Sequence, residues 1–199
     1  MTKRDDSTLT PAQYARIRLE AGRALQAADA LGRFPTDIPQ IMRAAQVTEV
    51  PEDVLREPGF LAKLRHKAGA ALKSALSKVL GVFDARASLV FIDRTLHAVK
   101  QTFVRLHESG HAFLPWQRPL YAVVEDCEKS LSPDVSELFD REANVFAAEV
   151  LFQLDAFARE AEEHPFNIFT PVRLSRKYGA SIYASIRQYV TKNRRTCAV

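Results

Sequence analysis

Cysteine is nearly absent from this chain. Cys127 and Cys197 are the only two, far apart and in no C-x-x-C pair, which excludes both a disulfide scaffold and a thiolate zinc cluster. Glycine and proline are also sparse, 7 and 10 in 199 residues, so the chain is neither collagen-like nor of low complexity. No run of about 18 apolar residues exists, and no helical membrane span is expected. Residues 1–10 are polar and lack the apolar core of a signal peptide, so the expected location is the cytoplasm. There is no large excess of either charge. The net value of +4 is too small to name a nucleic-acid partner.

Hydrophobic residues make up 47% of the chain, enough to bury a core of ordinary globular proportion. Charge is unevenly spread: residues 125–163 are strongly acidic, whereas 171–199 carry seven Lys or Arg and no Asp or Glu. Such a basic stretch reads first as a solvated face, and the end from Lys192 to Val199 as dispensable.

Punctuation residues divide the chain. Thr10 and Pro11 open a helix that runs to Leu31 and stops at Gly32. A second, Thr-capped helix is expected from Thr36 to Ala45. Together with "PEDVLR" it could form a helix-turn-helix, but two ordinary packing helices account for the segment better. Phe60 to Leu80 shows a helical stripe (Leu61, Leu64, Ala68, Leu72) with lysines and arginines around it, a basic amphipathic helix. "VLGVFDARASLVFID" reads as a β-hairpin about Asp84-Ala85-Arg86, and Ser88–Ile92 is expected at the sheet edge, where an extended peptide could pair. A helix from Leu96 to Leu114 follows, ended by Pro115. Then come a loop over Trp116–Leu131, a long helix from Ser132-Pro133 to Gln153, and helix over 170–193 broken at Gly179.

The helix after the hairpin contains His107-Glu108-Ser109-Gly110-His111, the pattern H-E-x-x-H. Residues i and i+4 stack on one helix face, so two imidazoles can reach one ion at about 2.0–2.1 Å. Glu108 is rotated off that pair and is free to act as general base in metal-assisted hydrolysis. Gly110 weakens the helix by about 1 kcal/mol relative to Ala, which points to close backbone packing beside the motif. His66, His97 and His164 form no comparable pair.

A catalytic zinc wants a third protein ligand and one open position. A His six residues after His111 is missing, because position 117 is Gln. Cys127 sits among Glu125, Asp126 and Glu128, which disfavour a bare thiolate. The acidic helix offers Glu137, Asp140, Glu142 and Glu149. Glu142 and Glu149 share one face, roughly 10 Å apart along the axis. A carboxylate on a face that also buries Val145 and Phe146 needs a partner, either the metal or an arginine. Spacing alone does not choose between the two. For an oxyanion stabiliser, His97, Tyr121 and Tyr178 are candidates.

"HESGHAF" followed by "DREANVFAAEVLF" resembles the ImmA/IrrE family of bacterial metallopeptidases, as do the hairpin "LGVFD…LVFID" and the later "LSRKYGAS". The resemblance spans roughly residues 35–190. Ser109 and Phe152-Gln153 depart from the family pattern without touching a ligand or the base. The resemblance implies an α+β, zincin-like metallopeptidase core, mostly helical with a small twisted sheet. It implies His107, His111 and Glu142 as Zn2+ ligands and Glu108 as the catalytic base. Asn144, Glu149, His97 and Tyr121 are left as supporting or substrate-contacting candidates. The implied activity is cleavage of a helix-turn-helix repressor, with no membrane partner and no direct nucleic-acid binding. The rival reading is a zinc-containing module that grips a repressor without cutting it. In domain terms, residues 1–10 form a flexible arm and 11–199 a single metallopeptidase domain. Within it, 11–80 hold the N-terminal helices, 79–153 the hairpin and zinc-site helices, and 154–199 a C-terminal helical segment.

Overall fold

The computed structural model describes residues 8–51, 81–126 and 131–193. The basic helix expected over 60–80, the segment "PEDVLR", Cys127 and Cys197 lie outside these residues.

Helix α1 (Pro11–Ala27) begins with a capping box. Thr10 Oγ1 accepts from the Gln13 amide at 3.2 Å, and the Thr10 amide donates back to Gln13 Oε1 at 2.9 Å. It ends four residues before the expected Leu31. Asp29 turns into the left-handed region (φ 49°) and the Ala30 amide closes on Leu25 O at 2.9 Å, which satisfies the last carbonyls early and tucks Ala30 into the core. Helix α2 (Ile38–Ala44) is capped by Asp37 rather than Thr36. Thr36 is buried instead, donating to Val150 O and accepting from Gln153 Nε2.

Strand β1 (Thr48–Glu49) is too short to leave a periodic signal, and the sequence reading has no strand there. Strands β2 (Gly81–Asp84) and β3 (Leu89–Ile92) form the expected hairpin, with Gly81 opposite Ile92 and Asp84 opposite Leu89. β1 pairs parallel to β3, so the sheet order is β1-β3-β2. This corrects the expectation for Ser88–Ile92: β3 is the central strand, and among the described residues the edges are β1 and β2.

Helix α3 (Ala98–Phe113) carries the H-E-x-x-H motif and stops ahead of Pro115. Helix α4 (Arg118–Asp126) occupies the segment expected as a loop. Tertiary contacts make it helical. Arg118 donates to Ala45 O at 3.0 Å and Ser88 Oγ at 2.8 Å, and Tyr121 packs on Phe83. Helix α5 (Pro133–Leu151) follows Ser132 as expected, although the Ser132 hydroxyl makes no cap bond. Three helices follow among the described residues: α6 (Ala156–Glu162), α7 (Phe169–Tyr178) and α8 (Ile182–Lys192). Gly179 between the last two has φ 63°, and a Cβ there would lie 3.0 Å from Pro35 Cβ, so conformation and space both require glycine.

Two apolar clusters meet across α3. Leu106 and Leu114 join Ile17, Leu25, Phe146 and Val150 on the side of α1 and α5. Val104 and Ala112 join Met42, Phe83, Val90 and Ile92 on the side of the sheet. The helix bearing the motif is therefore clamped between sheet and helices on two faces, the α+β arrangement of a zincin-like core. Arg105 adds a bidentate pair to Glu49 on β1 at 2.8 and 2.9 Å, which fixes the rotation of α3 against the sheet. Gly110 sits at the crossing with α5: a Cβ there would be 3.0 Å from Phe146 Cδ1. The C-terminal helix is also tied down. Lys192 is 17% exposed and its Nζ lies 2.7 Å from Glu149 Oε1, so the expectation of a solvated end is corrected at this residue. No helix among the described residues is long and apolar enough to cross a membrane.

Candidate metal centre

The face of α3 turned to α4 and α5 presents His107 and His111 one turn apart, with their Nε2 atoms 3.1 Å from each other. Each Nδ1 meets a side-chain amide oxygen. His107 Nδ1 lies 3.0 Å from Asn144 Oδ1, and His111 Nδ1 lies 2.7 Å from Gln117 Oε1. An amide oxygen only accepts, so both rings carry their proton on Nδ1. The two Nε2 lone pairs then face each other across 3.1 Å. Such an arrangement calls for a cation between them. A proton is a poor candidate, because burial and the neighbouring His107 push the His111 pKa down to about 3.

A carboxylate completes the group. Ligand atoms of His107, His111 and Asp140 all lie within 4.8 Å of one another, and Asp140 Oδ1 is 3.7 Å from His111 Nε2. Asp140 and Asn144 are one turn apart on α5, so the same helix face offers a carboxylate to the ion and an amide to His107. The donor set of two imidazoles and one carboxylate, open on the side where Asp140 is exposed, fits a divalent cation of the zinc type.

Glu142, which the family resemblance implies as the third ligand, lies outside this group. Two residues along a helix turn the side chain by about 200°, and Glu142 faces α1. It is 1% exposed and accepts from Trp116 Nε1 and Gln117 Nε2, both at 2.7 Å, with Arg16 Nη2 at 3.5 Å. Glu149 shares that face, as its seven-residue spacing requires. It pairs with Arg18 at 3.0 Å, with Lys192 and with the Tyr14 hydroxyl. The arginine partner, rather than the metal, accounts for its burial.

Glu108 points to the sheet side of α3 and is 6% exposed. Burial, reinforced by the nearby Asp140 charge, raises its pKa to about 8. Its carboxylate lies against Gly81 at the start of the edge strand β2: a Cβ there would be 2.8 Å from Glu108 Oε1. Tyr121 stands edge-on to the His111 ring, centroids 5.2 Å apart. Burial, then the Asp140 and Glu108 charges, raise its pKa, so its phenol stays protonated. His97 is the exposed N-cap of α3, about 15 Å along the axis from His107, and Tyr178 is buried with Phe34 and Phe157. Neither is brought to the centre.

Sequence reasoning missed Gly81, Gln117, Trp116 and Arg16, and named Asp140 only among four acids of its helix. The Asp140/Asn144 spacing of i, i+4, matching that of the two histidines, was the available signal.

A zincin-like α+β core with an H-E-x-x-H helix facing a carboxylate defines a metallopeptidase. The peptidase family model of the IrrE N-terminal-like domain matches residues 71–185. The chain belongs to the ImmA/IrrE family. A search of the curated proteins finds no match.

Proposed function

We propose that the protein is a zinc-dependent endopeptidase that cuts a helix-turn-helix transcriptional repressor. The observation that carries the hydrolytic reading is the pair of opposed Nε2 lone pairs with Asp140 in reach, on the same helix as the buried Glu108, whose carboxylate feels the Asp140 charge. The substrate class rests on the family resemblance.

His107, His111 and Asp140 would hold the cation. When bound, zinc polarises the scissile carbonyl and acidifies a water. Glu108 takes the proton of the attacking water and returns it to the leaving amine. The Tyr121 hydroxyl, kept protonated, would donate to the developing oxyanion; its ring, 5.2 Å from that of His111, supports this role. Edge strand β2 begins at Gly81, beside Glu108, so an extended substrate paired to it would run past the base.

The rival, a non-catalytic zinc-containing module that sequesters its repressor, needs no buried base beside the metal. One experiment separates the two. Zinc content and repressor cleavage are measured for wild type, Glu108→Gln and His111→Ala. The endopeptidase reading expects about one zinc per chain in wild type and Glu108→Gln, none in His111→Ala, and cleavage by wild type alone. Zinc and repressor binding without cleavage by wild type would establish the rival.

A further inference from the structure

The two histidines are oriented in different ways. His107 leans directly on Asn144, whereas His111 leans on Gln117, which is fully buried and uses both ends of its amide. Gln117 Oε1 accepts from His111 Nδ1. Gln117 Nε2 donates to Glu142 Oε2 at 2.7 Å and to Phe139 O at 3.3 Å. Phe139 O can only accept, and Glu142 Oε2 already accepts from Trp116 Nε1 as well. A flipped amide would put a buried oxygen against a carboxylate and a carbonyl, which is strongly unfavourable. The carboxylate therefore fixes the amide, and the amide fixes the imidazole.

Resting on the metallopeptidase reading above, we propose that Glu142 is a positioning residue: acting through Gln117, it holds His111 in the tautomer whose Nε2 lone pair faces the ion. Its carboxylate also accepts from Trp116 Nε1 and lies 3.5 Å from Arg16, whose guanidinium stacks 3.7 Å over the Trp116 ring. Arg16 comes from α1, Trp116 and Gln117 from the turn between α3 and α4, and Glu142 from α5. One buried carboxylate thus joins three parts of the chain behind a single imidazole. Carboxylate support of a ligating histidine is a general device; here an amide stands between the two.

The test uses the full chain and four proteins: wild type, Gln117→Leu, Glu142→Leu and Glu142→Gln. Zinc affinity is measured by competition with a chromophoric chelator. The His111 tautomer is read by nitrogen-15 NMR of the metal-free protein, and circular dichroism reports folding. Both leucine variants should lose about 10–100-fold in zinc affinity, and His111 should no longer hold a single Nδ1–H tautomer. Glu142→Gln keeps an amide oxygen that accepts from Gln117. It should stay within about threefold of wild type and retain the tautomer, by the same hydrogen-bond logic.

A metal ligand behaves differently, because an amide is a poor substitute for a carboxylate. If Glu142→Gln falls as far as Glu142→Leu, Glu142 binds the ion and the proposal is wrong. An unchanged tautomer and affinity in Gln117→Leu would overturn it as well. Should Glu142→Leu fail to fold, the Gln117→Leu and Glu142→Gln pair still decides. Because the tautomer is read without metal, a wild type that binds no zinc would overturn the enzymatic reading while the relay was judged separately.

Discussion

The carboxylate of Glu108 lies over the bare Cα of Gly81: a Cβ there would fall 2.8 Å from Glu108 Oε1 and 2.5 Å from Val104 Cγ1. Neither side chain has free room, since both are buried between α3 and the sheet. Gly81→Ala should therefore push the base out of place. Overpacking of this kind lowers stability by about 1–3 kcal/mol. The histidines and Asp140 stand on other faces, so zinc affinity should stay within about twofold of wild type while kcat falls tenfold or more, in keeping with the sensitivity of catalysis to small displacements. Chelator competition and peptide hydrolysis on the same preparation check this. Equal losses in metal binding and turnover would mean that Gly81 supports the whole centre instead of the base.

Asp140 and Glu149 sit on different faces of α5, and their replacement should separate metal binding from stability. Asp140→Ala removes a donor from the His107, His111 group and should weaken zinc by more than the roughly 10–100-fold that outer partners supply. It is exposed, so the metal-free protein should melt as wild type does. Glu149→Ala should leave zinc affinity unchanged and lower the melting temperature. Calorimetry with and without a chelator, beside metal titration, reads both. If Asp140→Ala binds zinc normally, the third donor lies elsewhere.

Much of this layout was legible before the fold was known. H-E-x-x-H, the hairpin, Gly110 as a close-packing glycine and the proline-opened helices are local patterns, and each depends on residues within a few positions. The shared face of Glu142 and Glu149 was also legible, since helical geometry alone requires it. What that face meets was not. Arg16 and Arg18 reach it from more than a hundred residues away, and no periodicity encodes such a pairing. The same holds for β1, two residues made into a strand by Leu89 and Val90, and for α4, which Arg118 and Tyr121 anchor against distant partners. Gln117 was noticed as a missing histidine. Its use as a fully committed amide behind His111 depends on Phe139 and Glu142, which only the packed helices supply.

Tyr121 is the one candidate oxyanion donor that the fold brings to the centre, its ring 5.2 Å from that of His111. Tyr121→Phe removes the hydroxyl and keeps the ring contacts with Phe83, His111 and Phe139. Loss of an oxyanion donor typically lowers kcat by about 10²–10³-fold. We expect a fall of that order with KM and zinc affinity nearly unchanged. Steady-state kinetics on a repressor-derived peptide checks it. A change in KM alone would assign Tyr121 to substrate binding, and no change would leave it a packing residue.

Lys192 ties α8 to the core. Its Nζ lies 2.7 Å from Glu149 Oε1 and also bonds the Tyr14 hydroxyl, while Arg18 takes the other carboxylate oxygen at 3.0 Å. Glu149 is 1% exposed, so removing one partner leaves a buried acceptor short of a donor. Lys192→Met keeps the aliphatic stem and should destabilise by about 1–3 kcal/mol, which lowers the melting temperature by about 2–10 °C for a chain of this size. Glu149→Gln should lose a similar amount. Because the two act on one interaction, the double variant should lose less than the sum of the singles. Zinc affinity and cleavage per folded molecule should not move, since this cluster faces away from Asp140 and the histidines. Additive losses would show that Lys192 and Glu149 stabilise the fold independently. Loss of cleavage with an unchanged melting temperature would instead connect the C-terminal helix to the active centre.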